Sequence, residues 1–232
     1  PGDEVPGDGT NQGTINWTNA AYGGSGTGMR AAVNAAFTSP NNISSNSFTN
    51  DTTGVVTVDL VSALSANQGI AGIAVYSNNG TATATNKGTV TVTSSAPSAT
   101  SALSEGITSA GTTASIINSG AVNVTNTNSA AVIGLAIVSN NSVNSSAVIN
   151  NSGTVVVSGY GNNSQAASIA GLGSNTTSAQ IINSGTLEVK GGVAPLTGSR
   201  SVVAFFSNTA AGAPYVFTNT STGIGKGDEF AY

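Results

Sequence analysis

A short phrase, Asn-x-Gly followed by a small residue and alternating apolar positions, returns along this chain at nearly constant spacing. It reads Asn86-Lys87-Gly88-Thr89-Val90-Thr91-Val92, then Asn118-Ser119-Gly120-Ala121-Val122-Asn123-Val124, Asn151-Ser152-Gly153-Thr154-Val155-Val156-Val157 and Asn183-Ser184-Gly185-Thr186-Leu187-Glu188-Val189. The anchoring glycines lie 32, 33 and 32 residues apart. A period this regular, built from strand-forming residues, points to a solenoid whose coils stack through one long core.

Looser copies begin at Gly13 and Gly54, so the array is expected to start near residue 13. The segment Phe217 to Gly223 echoes Phe48 to Gly54, but Ile224-Gly225-Lys226-Gly227 replaces the strand that should follow, and the repeat is expected to stop there. Each unit also carries a small-apolar run ending in serine, as in Ile70 to Ser77 and Ala131 to Ser139. The expected organisation is a flexible or docking arm over 1–12, one solenoid over 13–227 with regular coils at 54–222, and a tail at 228–232.

Composition agrees with a folded, neutral chain. Only 6% of the 232 residues are charged, the net charge is -4, and the mean hydropathy is +0.11. Disordered chains combine low hydrophobicity with high net charge. The five lysines and arginines are scattered, so they cannot form the basic footprint that phosphate backbones need. Cysteine is absent, which removes disulfides and thiolate chemistry. No apolar run approaches the ~18 residues of a membrane helix. The chain starts at Pro1 without a signal-type segment and reads as a mature or trimmed product.

A coil of about 32 residues holds three short strands and three turns. The expected fold is therefore all-β, a right-handed parallel β-helix of about six coils. Val90, Val122, Val155 and Leu187 should form one interior column and Val92, Val124, Val157 and Val189 the next. Thr91, Asn123, Val156 and Glu188 between them should face outward. At each corner Gly88, Gly120, Gly153 and Gly185 should supply a positive φ, while Asn86, Asn118, Asn151 and Asn183 cap the turn and stack as an amide ladder. Insertions at Asn140 to Asn144 and Tyr160 to Ser164 should bulge as loops. A β-sandwich of hairpins is the alternative, although it needs no coil-length period.

Catalysis is disfavoured because histidine and cysteine are absent and the carboxylates are thinly spread. Asp51, Asp59, Glu105 and Glu188 lie in the body, and matched repeat positions bring no obvious pair together for glycosidase chemistry. No calcium-binding Asp repeat occurs. No cofactor or metal site is expected. Glu188 and Lys190 read as a surface pair, and the Asn-x-Ser/Thr triplets as a by-product of composition.

Ten of the twelve aromatic residues lie near the chain ends: Trp17, Tyr22, Phe37, Phe48, Phe205, Phe206, Tyr215, Phe217, Phe230 and Tyr232. They read equally well as caps over exposed core or as anchors of an end-to-end interface.

Phrases such as Ile116-Ile117-Asn118-Ser119-Gly120-Ala121-Val122-Asn123-Val124 resemble the passenger repeats of bacterial autotransporter adhesins and filamentous-haemagglutinin-like surface proteins, over about residues 54–190. That resemblance implies an extracellular or cell-surface β-helix that adheres to a receptor or glycan. No segment after Gly223 supplies a translocating barrel. The expected function is a non-enzymatic adhesin-like or scaffold solenoid. The alternative is a filament subunit polymerising head to tail through its aromatic-rich ends, and a polysaccharide-active enzyme is third.

Overall fold

The computed structural model describes residues 3–4, 9–19, 28–37, 45–61, 68–77, 79–95, 103–127, 131–139, 145–159, 164–172, 175–191, 200–207 and 215–227. Within them the chain winds through seven rungs of three strands. The first rung holds β1 (Asp3–Glu4), β2 (Gly9–Asn11) and β3 (Thr14–Asn19); the second β4 (Gly28–Phe37), β5 (Asn46–Asn50) and β6 (Val55–Leu60). The third holds β7 (Gln68–Ser77), β8 (Thr81–Asn86) and β9 (Thr89–Ser94); the fourth β10 (Ser104–Gly111), β11 (Thr113–Asn118) and β12 (Ala121–Asn126). The fifth holds β13 (Val132–Ser139), β14 (Ser145–Asn151) and β15 (Thr154–Gly159); the sixth β16 (Ser164–Leu172), β17 (Thr176–Asn183) and β18 (Thr186–Gly191). The seventh holds β19 (Arg200–Ser207), β20 (Tyr215–Asn219) and β21 (Ile224–Gly227).

Every third strand pairs in parallel with its equivalent one rung away, which makes three seven-stranded sheets. Sheet 1 runs from β1 to β19, sheet 2 from β2 to β20 and sheet 3 from β3 to β21. Parallel pairing throughout excludes the sandwich of hairpins, because hairpins pair antiparallel.

Alternation along sheet 3 is the simplest expression of sequence in structure. Val90, Val122, Val155 and Leu187 stack in register and are fully buried, as are the Val92, Val124, Val157 and Val189 positions to within 2%. Thr91, Asn123, Val156 and Glu188 occupy the opposite, half-exposed face. A one-residue slip would turn both apolar columns into solvent, so register is strongly fixed.

Sheet 1 faces sheet 3 across the interior, and their side chains trade bulk. Gly72, Gly106 and Gly134 leave room for Val90, Val122 and Val155, whose Cγ1 atoms would lie 2.4, 2.4 and 2.3 Å from a Cβ built on each glycine. In the sixth rung the pair is Ala166 and Leu187, and in the seventh it is reversed, with Val202 facing Gly225. The core thus keeps nearly constant volume per rung, as close packing requires.

The array is longer than its sequence period indicates. Gly9–Asn11 pairs with Phe48–Asn50, and Asp3–Glu4 pairs with Val33–Asn34, so the first rung begins before residue 13. At the other end Ile224–Gly227 is a strand paired with Thr186–Val189, although its glycines read as a stop. Glycine weakens a strand, but here the ladder to β18 and the opposing Val202 hold it. These three strands complete the end rungs and give seven where about six were expected. Loop positions 140–144 and 160–163 lie outside the described residues, and Ser164 is a buried strand residue that opens β16.

Candidate functional site

The corner between sheets 2 and 3 is built from one residue repeated seven times. Asn11, Asn50, Asn86, Asn118, Asn151, Asn183 and Asn219 end the seven strands of sheet 2, in register. Each side-chain Nδ2 donates to the Oδ1 of the next: 2.8 Å from Asn11 to Asn50, 2.8 Å to Asn86, 2.8 Å to Asn118, 2.7 Å to Asn151, 2.8 Å to Asn183 and 2.8 Å to Asn219. The five middle members are fully buried. Their amides also close the corner, as where Asn86 Nδ2 reaches the Gly88 carbonyl at 3.3 Å. Aligned amides in a dry corner polarise one another, and each unmade bond there would expose a costly orphan.

The corner glycines are required for closeness, since none of Gly88, Gly120, Gly153 and Gly185 has a left-handed φ. A Cβ on Gly120 would lie 2.1 Å from the Gly88 carbonyl oxygen, and one on Gly153 2.1 Å from that of Gly120. The positive φ expected of them belongs instead to Gly171, at 72° in β16.

Asn11 answers to the strict phrase, while Asn50 and Asn219 escape a search for it. Asn11-Gln12-Gly13 carries its full signal, whereas Asn50-Asp51-Thr52-Thr53-Gly54 and Asn219-Thr220-Ser221-Thr222-Gly223 hold two extra residues before the glycine. At the first of these longer turns the Asp51 carboxyl is lowered from its usual value by the Thr52 backbone N–H and then by Gln12, and Lys87 lies 3.6 Å away. Glu188 and Lys190 pair at 4.0 Å on the outside of sheet 3.

The aromatic residues do not form one class. Phe48 is a core residue, 2% exposed, because it sits in the second rung with Gly9 on one side and Ala84 on the other. Trp17 and Ile15 in the first rung are half-buried against the core. In the last rung Phe205 packs on the core and stacks on Tyr215, with ring centroids 5.8 Å apart. Phe206, Tyr215 and Phe217 are 48%, 40% and 45% exposed. Phe37 pairs with Ser77 in sheet 1 through its backbone. Tyr22, Phe230 and Tyr232 lie outside the described residues.

Sheet 1 holds a second buried polar region on its outer side. Glu105 is 3% exposed, and burial pushes its carboxyl up to about 7 despite a hydrogen bond with Thr108. Burial, and secondarily the Glu105 charge, raises the Tyr76 hydroxyl to about 12. Among the described residues, Glu105 Oε2 and Gln165 Oε1 are buried without a hydrogen-bond partner. Their column runs Ala71, Glu105, Ile133, Gln165 and Ser201, so polar neighbours are interrupted by Ile133. Sequence gave no signal for this burial, since Glu105 stands alone in the repeat.

Among the described residues no three His, Cys, Asp or Glu side chains gather as metal ligands, and no helix is long and apolar enough to cross a membrane. Compared with family models, curated proteins and solved structures, the chain has no significant match.

Proposed function

We propose that this protein is a non-enzymatic extracellular surface solenoid, a rigid scaffold that presents its connecting loops to a receptor or glycan. The observation carrying this reading is the inequality of its three corners. Two residues join most strands across the asparagine corner, as Lys87 and Gly88 do between β8 and β9. Connections into and out of sheet 1 vary widely: Thr112 alone joins β10 to β11, whereas residues 38–45 join β4 to β5 and residues 95–103 join β9 to β10.

A corner tied in every rung by the same amide ladder keeps the coils in register, and two corners free to vary in length carry the diversity. Repeat proteins collect their binding residues on such insertions, because a loop can change without disturbing the stacked core. Neutral side walls suit the same role, since the repeated Thr, Ser and Asn side chains stay hydrated without long charged groups. The passenger-type style of the repeats supports a surface location.

The reading is tested by replacing the sheet 1 loops, one group at a time, with Gly-Ser segments of equal length. Binding to a glycan array and to cultured cells should fall at least tenfold for one group, with the strand signal in far-ultraviolet circular dichroism unchanged. Undiminished binding by every loop-replaced chain would overturn it.

A further inference from the structure

The rod has two unlike ends, and their differences match. Along the asparagine ladder every amide donates toward the C-terminal rung, so among the described residues Asn11 Oδ1 receives no side-chain amide and instead accepts from Gly13 N at 3.1 Å. At the far end Asn219 is exposed, and its Nδ2 turns back to the Gly223 carbonyl at 2.9 Å. One end therefore lacks an amide donor and the other lacks an amide acceptor.

Bulk is complementary in the same way. One interior column of sheet 2 runs Gly9, Phe48, Ala84, Ile116, Ile149, Ile181, Phe217, from no side chain at the first rung to a 45% exposed ring at the last. Two columns of sheet 3 run the other way. Ile15 heads the column that ends in Gly225, and Trp17 heads the column that ends in Gly227.

We infer that a second copy of this chain stacks on the last rung in the ladder's own register. Asn219 then donates to Asn11 of the next copy, Phe217 packs over Gly9, and Ile15 and Trp17 enter the space above Gly225 and Gly227. All three sheets continue across the joint, which satisfies the edge groups that an end strand otherwise exposes. Such a head-to-tail contact does not close, so it propagates into a filament. This assembly is independent of what the loops bind.

The register is testable because the chain has no cysteine. Extending the sheet 2 column Thr10, Thr49, Thr85 to Ile182 and Thr218 places Thr218 beside Thr10 of the next copy, both exposed. Their Cα atoms would be about 4.8 Å apart, within disulfide reach, whereas Val216 and Thr10 would be offset by two residues and beyond about 7 Å. Full-length T10C mixed with T218C should yield at least tenfold more oxidised dimer than T10C mixed with V216C. In sedimentation velocity the wild-type chain should lengthen with concentration, and Phe217→Ser should raise the concentration required at least tenfold with its strand signal intact. Equal cross-linking of the two mixtures, or a wild-type chain that stays monomeric at every concentration, would overturn the inference. Should Phe217→Ser fail to fold, the cross-linking comparison decides alone.

Discussion

The asparagine corner and the outer side of sheet 1 both bury polar side chains, yet only the corner pairs them from end to end. Each Asn finds its partner in the equivalent Asn one rung away, at 2.7 or 2.8 Å. Glu105 finds Ala71 on one side and Ile133 on the other, and one of its oxygens has no partner among the described residues. In a stacked fold, a buried polar residue is inexpensive when the sequence repeats it and costly when it stands alone. Repetition in the sequence supplies a hydrogen-bond partner in space.

That contrast can be broken most sharply at the corner. Gly120→Ala would drive a Cβ to 2.1 Å from the Gly88 carbonyl, and a loss above about 4 kcal/mol in urea unfolding is expected. Gly13→Ala, with nothing within 4 Å of its Cβ, should stay within about 0.5 kcal/mol. Similar losses at both would mean that corner closeness does not set the requirement.

Asn118→Ala comes next. It strips the acceptor from Asn86 and the donor from Asn151, both fully buried, for an expected loss of about 3 kcal/mol. Asn219→Ala at the exposed end of the ladder should cost about 1 kcal/mol in monomeric protein, since it has one ladder neighbour. Equal costs would show that the bonds do not act as a connected chain.

Glu105 sharpens the other side of the comparison. Its carboxyl holds a proton up to about 7 in the fold but ionises near 4.5 when unfolded. The unfolded chain therefore releases that proton first as pH rises, and stability should fall from about pH 4.5 to about pH 7 and then level off, by up to about 3 kcal/mol. Glu105→Gln should flatten thermal stability across that window; a slope unchanged in the variant would assign the pH dependence elsewhere. The smallest effect belongs to Lys87→Ala, whose solvent-screened pair with Asp51 at 3.6 Å should leave the urea midpoint unchanged within error.

The period, the parallel three-sheet solenoid and the valine columns were readable because they repeat. Val90, Val122 and Val155 announce one face three times over, and their stacking follows from register alone. The features that escaped are those with a single copy or an altered spacing. The final Ile224-Gly225-Lys226-Gly227 looked like a stop because Val202, which takes the volume of a missing side chain at Gly225, lies in a different strand. The position of the corner glycines is legible but their cause is not, since the nearness of a carbonyl one rung away is invisible within one turn of chain. Glu105 offered no pattern at all, because burial on the outside of a sheet depends on what covers it.

The orientation of the backbone hydrogen bonds has a mechanical consequence. They run along the rod axis, so tension applied through the two ends of one chain separates neighbouring rungs head-on instead of shearing them. Each rung adds about 4.8 Å of height, yet it stores about 32 residues, which extend to roughly 100 Å when released. A loaded rod would therefore yield in steps, lengthening about twentyfold per rung surrendered, and a tether made this way would absorb a sudden pull while its remaining rungs stay folded.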